Sequence, residues 1–479
     1  MNPNIGKEVC IMIIYKLIKT PLQYYVYDRN KNKILNISKE EYQELDRLNK
    51  KEITEKEAVC LKKFQKYGYL KDSILEEIVH PETKYIKHHL DHRVQFLILQ
   101  VTQSCNLRCN YCTYSGNYTN RVHSGKSMSW ELAKKSIDYL YDHSNEIEKV
   151  RISFYGGEPL LRFDLIKRCV QYVKEAYPDR ITDYGITTNG TLLSGEIAEF
   201  LIDNQFSITI SLDGSKKDHD ANRKFANGEG SFNTIINNIK DISKHNKGFI
   251  KNIRFNTVLN PKSDYGTVRN YFNSEDVVCD AGVGLSLMEE INYKGDISFS
   301  NEFINIRRYD YFLLLMTMVK KLKKEAIPKF MSEIKAGIDI DYSTMEDVNN
   351  LNKTWHHGGP CIAGAMRMFV NTDGVIYPCE KAVETSEAMK IGEMDEGTDS
   401  QKVSEIMNIG KISEKDCKSC WAINWCSMCA LYAEKDGKFD VATKRKNCAK
   451  SFIEVQEKLL NICALKEFGY KFGKEEMYV

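Results

Sequence analysis

FLILQVTQSCNLRCNYC, residues 96–112, joins an apolar, β-forming run to three cysteines spaced C-x3-C-x2-C. A short apolar run closed by small polar residues reads as a buried strand. The thiols Cys105, Cys109 and Cys112 then lie at its carboxyl end, where parallel α/β folds gather their ligands. Further runs follow: KVRISFYGG (149–157), YGITTNG (184–190), FSITISLDG (206–214), IRFNTVLN (253–260) and AGVGLSLMEE (281–290). Between them, segments such as WELAKKSIDYLYDH (130–143) and FDLIKRCVQYVKEAY (163–177) carry apolar residues at helical spacing. Six strands alternating with helices predict an α/β fold, either a partial (β/α)6 barrel of the TIM type or a doubly wound sheet.

The 479 residues suggest about three units of roughly 150 residues each. Sixty-eight Lys and Arg oppose 66 Asp and Glu, so the net charge is only +2 and no global field favours nucleic acid. The longest apolar stretches, CIMIIY (10–15) and YFLLLMTMV (311–319), fall short of the roughly 20 residues that span a bilayer. No secretory signal is read at the start, which gives the expectation of a cytoplasmic protein without membrane or nucleic-acid partners. Of the 15 cysteines, ten fall in tight groups. Such grouping points to metal rather than disulfides. Cys10, Cys60, Cys169, Cys279 and Cys463 are isolated and read as small buried hydrophobes.

Thiolates select zinc or iron–sulfur clusters, and three of them suit a four-iron cubane with one iron left for a small molecule. The motif resembles that of the radical S-adenosylmethionine enzymes, with Tyr111 as the usual aromatic residue before Cys112. In order along the chain, YGGEP (155–159), TTNG (187–190), SLDG (211–214) and the stretch 219–232 around Arg223 resemble the same family's later segments. The resemblance implies that Gly156, Gly157, Glu158 and Pro159 hold the methionine amino group and that Thr188, Asn189, Ser211 and Asp213 lie beside the ribose. It also implies that Arg223 pairs with the methionine carboxylate; an Arg fork can grip both oxygens. The implied chemistry is a 5′-deoxyadenosyl radical generated from S-adenosylmethionine at a 4Fe–4S cluster.

Near the other end, Cys361, Cys379, Cys417, Cys420, Cys426, Cys429 and Cys448 resemble the SPASM domain, an auxiliary-cluster extension of radical enzymes that modify peptides and proteins. Cys426 and Cys429 stand one residue closer than is usual in that family. A zinc ribbon is the alternative for such C-x2-C pairs. The resemblance implies two auxiliary 4Fe–4S clusters, three in all: an outer one on Cys417, Cys420, Cys426 and Cys448, and an inner one on Cys361, Cys379 and Cys429. KTWHHGGP (353–360) has no thiol upstream of Cys361, so the inner cluster either keeps an open iron, takes His356 or His357, or binds a substrate cysteine.

YYVYDRNKNKILNI (24–37) reads as two strands about a turn, Ser38 with Glu41 as a capping box, and Thr54 with Glu57 as a second one before VCLKKFQKYGYL (59–70). This is the composition of a winged helix-turn-helix unit or of an ordinary N-terminal embellishment. It resembles the RiPP recognition elements, which add a leader peptide to a sheet edge. The expected division is 1–80 for that unit, 81–95 for a polar linker, 96–300 for the barrel, 301–354 for a helical bridge and 355–479 for the cysteine-rich domain with a terminal helix. His88, His89 and His92 in the linker are read as solvated rather than metal-binding. The preferred function is a peptide maturase of the sactipeptide or ranthipeptide type. It would form a thioether from Cys sulfur to carbon in a ribosomally made, Cys-containing precursor, with flavodoxin or ferredoxin as reductant. The alternatives are oxidation of Cys or Ser to formylglycine, as in anaerobic sulfatase maturases, carbon–carbon peptide cross-linking, and a non-catalytic iron–sulfur protein.

Overall fold

A computed structural model of the chain describes residues 13–118, 123–274, 281–291, 293–323, 327–328, 330–347, 351–358 and 361–472. Cys10 and Cys279 lie outside the described residues; Cys60, Cys169 and Cys463 are buried.

The chain opens with β1 (Tyr15–Lys19), β2 (Tyr24–Asp28) and β3 (Lys33–Ile37), an antiparallel sheet in that order. β2 and β3 are the two strands expected from the sequence, and β1 is an addition to them. Ser38 and Glu41 make the reciprocal capping box that starts α1 (Lys39–Asn49). Thr54 does bond Glu57, but the helix that follows, α2 (Val59–Lys66), begins only after Ala58. Alternation divides β2: Val26 joins Leu45, Leu61 and Phe64 in the unit's own core, while Tyr25 and Tyr27 face the opposite way.

A short strand, β4 (Glu77–Ile78), leads to α3 (Ile86–His92). The polar linker expected over 81–95 is thus corrected to a packed helix: Ile86 and Leu90, four residues apart, join Val94 in the main core. The histidines pair outward, His88 with Glu146 and His89 with Glu82, and His92 bonds Asn145.

Six parallel strands then alternate with helices: β5 (Phe96–Thr102), α4 (Trp130–Asp142), β6 (Lys149–Gly156), α5 (Phe163–Ala176), β7 (Ile181–Thr188), α6 (Gly195–Asp203) and β8 (Ser207–Ser211). The series continues through α7 (Lys216–Asn222), α8 (Phe232–His245), β9 (Ile253–Leu259), α9 (Tyr265–Ser274) and β10 (Gly282–Leu287). Their order, β10-β9-β8-β7-β6-β5, follows the sequence without reversal. A doubly wound sheet requires a reversal, so of the two expected architectures this is the barrel-like one.

The sheet does not stop at β5. After α10 (Asn301–Met318), α11 (Met331–Asp347) and β11 (Thr354–Trp355), which pairs with β4, strand β12 (Met368–Val370) joins β5 in parallel register, Met368 opposite Leu97. Three antiparallel strands, β13 (Val375–Tyr377), β14 (Gly392–Glu393) and β15 (Gly397–Thr398), complete a ten-stranded sheet. The expected boundary at 354–355 therefore does not separate two sheets. Helices α12 (Ser400–Met407), α13 (Glu414–Lys418) and α14 (Val441–Glu467) follow, with a short strand pair, Glu434–Lys435 and Lys438–Phe439, before the last. Among the described residues no helix is long and apolar enough to cross a membrane.

Candidate functional site

Two glycines set the floor of the site. A Cβ on Gly156, whose φ is +143°, would lie 2.0 Å from the Thr102 carbonyl oxygen, and one on Gly157 would lie 2.3 Å from that of Ser104. The end of β6 thus runs against the backbone that delivers Cys105, a proximity only glycine permits. The cysteine segment is fastened on its other side to the stretch after α7. Arg108 N donates to Lys224 O (2.7 Å), Asn110 N to Asn222 O (3.1 Å), and Ala226 N to Asn106 O (3.2 Å).

Donors surround the three thiols. Leu107 N reaches Cys105 Sγ at 3.4 Å, Tyr114 N reaches Cys112 Sγ at 3.4 Å, and Asn189 Nδ2 lies 3.9 Å from Cys105 Sγ. Arg223 Nη1 is 3.8 Å from Cys109 Sγ. Burial raises the free thiols, Cys105 to about 11 and Cys109 to about 12, and the neighbouring thiols add to the rise. N–H donors and a guanidinium aimed at sulfur favour thiolates, which a soft metal cluster would stabilise. The donor set fits such a cluster. Among the described residues, no three His, Cys, Asp or Glu side chains are gathered as a single metal ion would need.

Glu158 is fully buried; Thr188 Oγ1 donates to its Oε1 (2.6 Å), as does Leu160 N (3.1 Å), and Asn189 N donates to Oε2 (2.7 Å). Burial outweighs these bonds and pushes the carboxyl up to about 7. Pro159 begins the turn that Glu158 caps. Asp213, rather than standing open, accepts from Tyr111 Oη, from Val258 N (3.3 Å) and from Arg223 Nε at 3.2 Å. Burial works against the Arg223 charge, but Asp213 holds the guanidinium's pKa well above its ordinary value, and the ion lies 5.2 Å from the Tyr111 ring centre. Ser211 ends β8 in register with Asn256. Glu158, Thr188, Asn189, Asp213 and Arg223 therefore converge on the cysteine segment, while Gly156, Gly157 and Pro159 shape its support.

The later thiols form two sets. Cys361 and Cys379 each feel the charge of Cys429, and Cys379 also that of Cys361. Cys420 feels Cys426, Cys417 and Cys448, and Cys426 and Cys448 feel Cys417. His356 is committed elsewhere: Nδ1 faces the His357 carbonyl at 2.8 Å and Nε2 accepts from Gly410 N at 2.8 Å. The suggestion that His356 completes the inner set is corrected accordingly, since neither ring nitrogen is available. His357 is buried with both ring nitrogens unpaired, and the titratable groups that act on it are His356, Lys444 and His80.

Two side chains passed over in the sequence reading sit among these groups. Gln100, buried on β5, donates to Tyr114 Oη and to Glu384, both at 2.8 Å, and so ties the first cysteine segment to the loop after Cys379. Lys444 donates to Ser413 Oγ at 2.7 Å and to Cys417 Sγ at 3.4 Å. A polar residue inside an apolar strand flags Gln100; Lys444 sits one helical turn before Cys448, which is a weaker sign.

Residues 99–269, the strands that carry the first thiols, match the Radical SAM superfamily. The barrel is a radical SAM domain. A cysteine-type anaerobic sulfatase-maturating enzyme of Clostridium novyi is 25% identical over 76% of this chain and 95% of its own length. The radical SAM cyclopropyl synthase TigE of Paramaledivibacter caminithermalis is 30% identical over 39% of this chain and 38% of its own length. Among solved structures, native anSMEcpe with bound AdoMet and Cp18Cys peptide shares the fold, with a TM-score of 0.57 at 20% identity over 78% of this chain and 99% of that one. A radical SAM domain implies S-adenosylmethionine and a 4Fe–4S cluster.

Proposed function

We propose that this chain matures a cysteine-containing peptide by joining a cysteine sulfur to a carbon of the same peptide. Cys105, Cys109 and Cys112 would hold one 4Fe–4S cluster and leave an iron for S-adenosylmethionine. When bound, that pair supplies a 5′-deoxyadenosyl radical, which takes a hydrogen atom from the substrate. The chain's own residues bind and orient. Glu158 suits the ammonium of the methionine part because a buried carboxylate gains most from ionising when a cation arrives. Arg223 keeps its Nη edge toward the thiols while Nε grips Asp213, so a carboxylate at that edge would meet a guanidinium already held in place. Asn189, bonded to Asn106 Oδ1 at 2.8 Å, fixes the rim beside Cys105.

Cys417, Cys420, Cys426 and Cys448 would hold an outer cluster, and Cys361, Cys379 and Cys429 an inner one. The observation that carries the thioether reading is the inner set: three thiols, with both nitrogens of His356 spent elsewhere and none of those thiols among the groups that act on His357. A substrate thiolate would suit the remaining position. The N-terminal sheet supports a peptide partner, since β3 lies at its edge and offers a ladder to an added leader strand.

Oxidation of a cysteine side chain to formylglycine is the second reading, and the near full-length alignment with the Clostridium novyi relative favours it. Mass spectrometry of a cysteine peptide incubated with anoxically reconstituted protein, S-adenosylmethionine and reductant separates the two. The thioether product loses two hydrogens and keeps its sulfur, whereas formylglycine loses sulfur and gains oxygen. A serine-for-cysteine peptide that still became cross-linked would rule out thioether chemistry.

A further inference from the structure

Two buried cations flank the CKSC turn that carries Cys417 and Cys420, and among the described residues neither is paired with a carboxylate. Lys444, on α14, is 1% exposed and among the described residues reaches Ser413 Oγ and Cys417 Sγ. Arg29 comes from the other end of the chain, at the turn between β2 and β3, and is 0% exposed. Its Nη1 donates to the carbonyl of Lys418, within the CKSC turn, at 2.6 Å. Nη2 donates to Asn30 Oδ1 at 3.2 Å and to Ser73 Oγ, and Nε has no partner.

The adjacent Asp28 favours the Arg29 charge, but no ion pair joins the two. Its Oδ1 accepts from Asn30 N and Lys31 N and its Oδ2 from Leu70 N, all within 3.2 Å, and burial raises its carboxyl. Further bonds hold the turn in place: Asn424 Nδ2 donates to Arg29 O at 2.8 Å and to Tyr27 Oη at 3.1 Å, and Trp425 Nε1 donates to Asn32 Oδ1 at 3.0 Å.

Isolated charges taken out of water are costly unless an opposite charge answers them. Four cysteine thiolates on an iron–sulfur cluster carry net negative charge, and nearby charge is one of the terms that set such a cluster's potential. We propose that Arg29 and Lys444 are the counter-charges of the cluster held by Cys417, Cys420, Cys426 and Cys448, so that the N-terminal unit forms one wall of that cluster and tunes its potential. This rests on the reading that those four thiols hold a cluster. Both are positioning residues acting through the thiolates.

The test uses the full chain with Cys105, Cys109 and Cys112 replaced by Ala, so that only auxiliary clusters contribute, reconstituted without oxygen and titrated electrochemically under EPR. The signal lost on Cys420→Ala identifies the outer cluster. Arg29→Met and Lys444→Met should each move its midpoint to lower potential, and Arg29→Lys should keep it near the parent value. An unchanged midpoint in both Met variants at full iron content overturns the proposal. Should Arg29→Met lose iron instead, retention of iron by Arg29→Lys supports the charge role, and equal loss in both overturns it in favour of shape alone. If the parent carries no iron lost on Cys420→Ala, the cluster reading itself fails, and that outcome is separable from the others.

Discussion

Glu158 shows how one buried side chain links stability to ligand. In the cofactor-free chain its pKa stands near 7 against 4.5 for an ordinary glutamate, because desolvation exceeds the help of three hydrogen bonds. The folded value is the higher one, so the folded chain binds the proton more tightly than the unfolded chain. The associated stability is complete below about 4.5 and is lost as pH rises through about 7; the difference corresponds to about 3 kcal/mol. Thermal melts of cluster-free protein should show that decline, and Glu158→Gln should flatten it. A second residue separates scaffold from ligand. His356→Ala leaves the buried Gly410 N–H without its acceptor, which costs about 1–3 kcal/mol. Denaturant titration should register that loss while iron per chain stays at the wild-type value.

At the scale of elements, the end of β6 and the cysteine segment form one unit because no side chain separates them. Gly157→Ala would place a methyl 2.3 Å from the Ser104 carbonyl oxygen, a backbone atom that can yield only by displacing Cys105. The expected result is loss of one cluster's iron and of the EPR change that S-adenosylmethionine induces, with auxiliary signals retained. Gly337→Ala, on α11 with open space around its would-be Cβ, serves as the control that keeps both. The six barrel strands were legible because each is a β-forming run, five of them ended by Gly, Thr, Asn or Asp, and the helices because of apolar spacing. Other elements hid for physical reasons. Ile86 and Leu90 carry the helical period of α3 among polar residues and histidines that mask it. β12 to β15 are two or three residues long, too short for any period, and exist only because β5 offers an edge. The thiols were legible by spacing alone. The pairing of Asp213 with Arg223 was not, since it joins the end of one strand to the end of a helix that the sequence reading treated as separate contacts.

For the molecule as a whole, the decisive feature is that the N-terminal sheet meets the cysteine-rich region and α14. Ile18, Tyr25 and Tyr27 of the N-terminal sheet pack with Trp425, Val455, Leu459 and Ile462 of the cysteine-rich region and α14. Tyr25 Oη and Thr20 Oγ1 both donate to Glu467 near the end of that helix. Strand alternation makes this possible, because β2 fills its own unit's core with one face and the partner's with the other. Burying a large apolar side chain is worth about 1.5–3 kcal/mol, so the joint is far stronger than a tether carrying a loosely attached binding module. Removal of residues 1–74 should therefore do more than weaken peptide binding. It strips the apolar cover from Trp425, Val455, Leu459 and Ile462 and opens the outer thiols to solvent. The truncated chain should melt at lower temperature and lose the outer cluster's iron. The barrel does not use that joint to hold Cys105, Cys109 and Cys112, so uncoupled 5′-deoxyadenosine formation should persist. Iron analysis, melting and nucleoside assay on one preparation check all three. Unaltered melting and iron content would mean that the N-terminal unit is a detachable accessory, with the outer cluster walled by the cysteine-rich region alone.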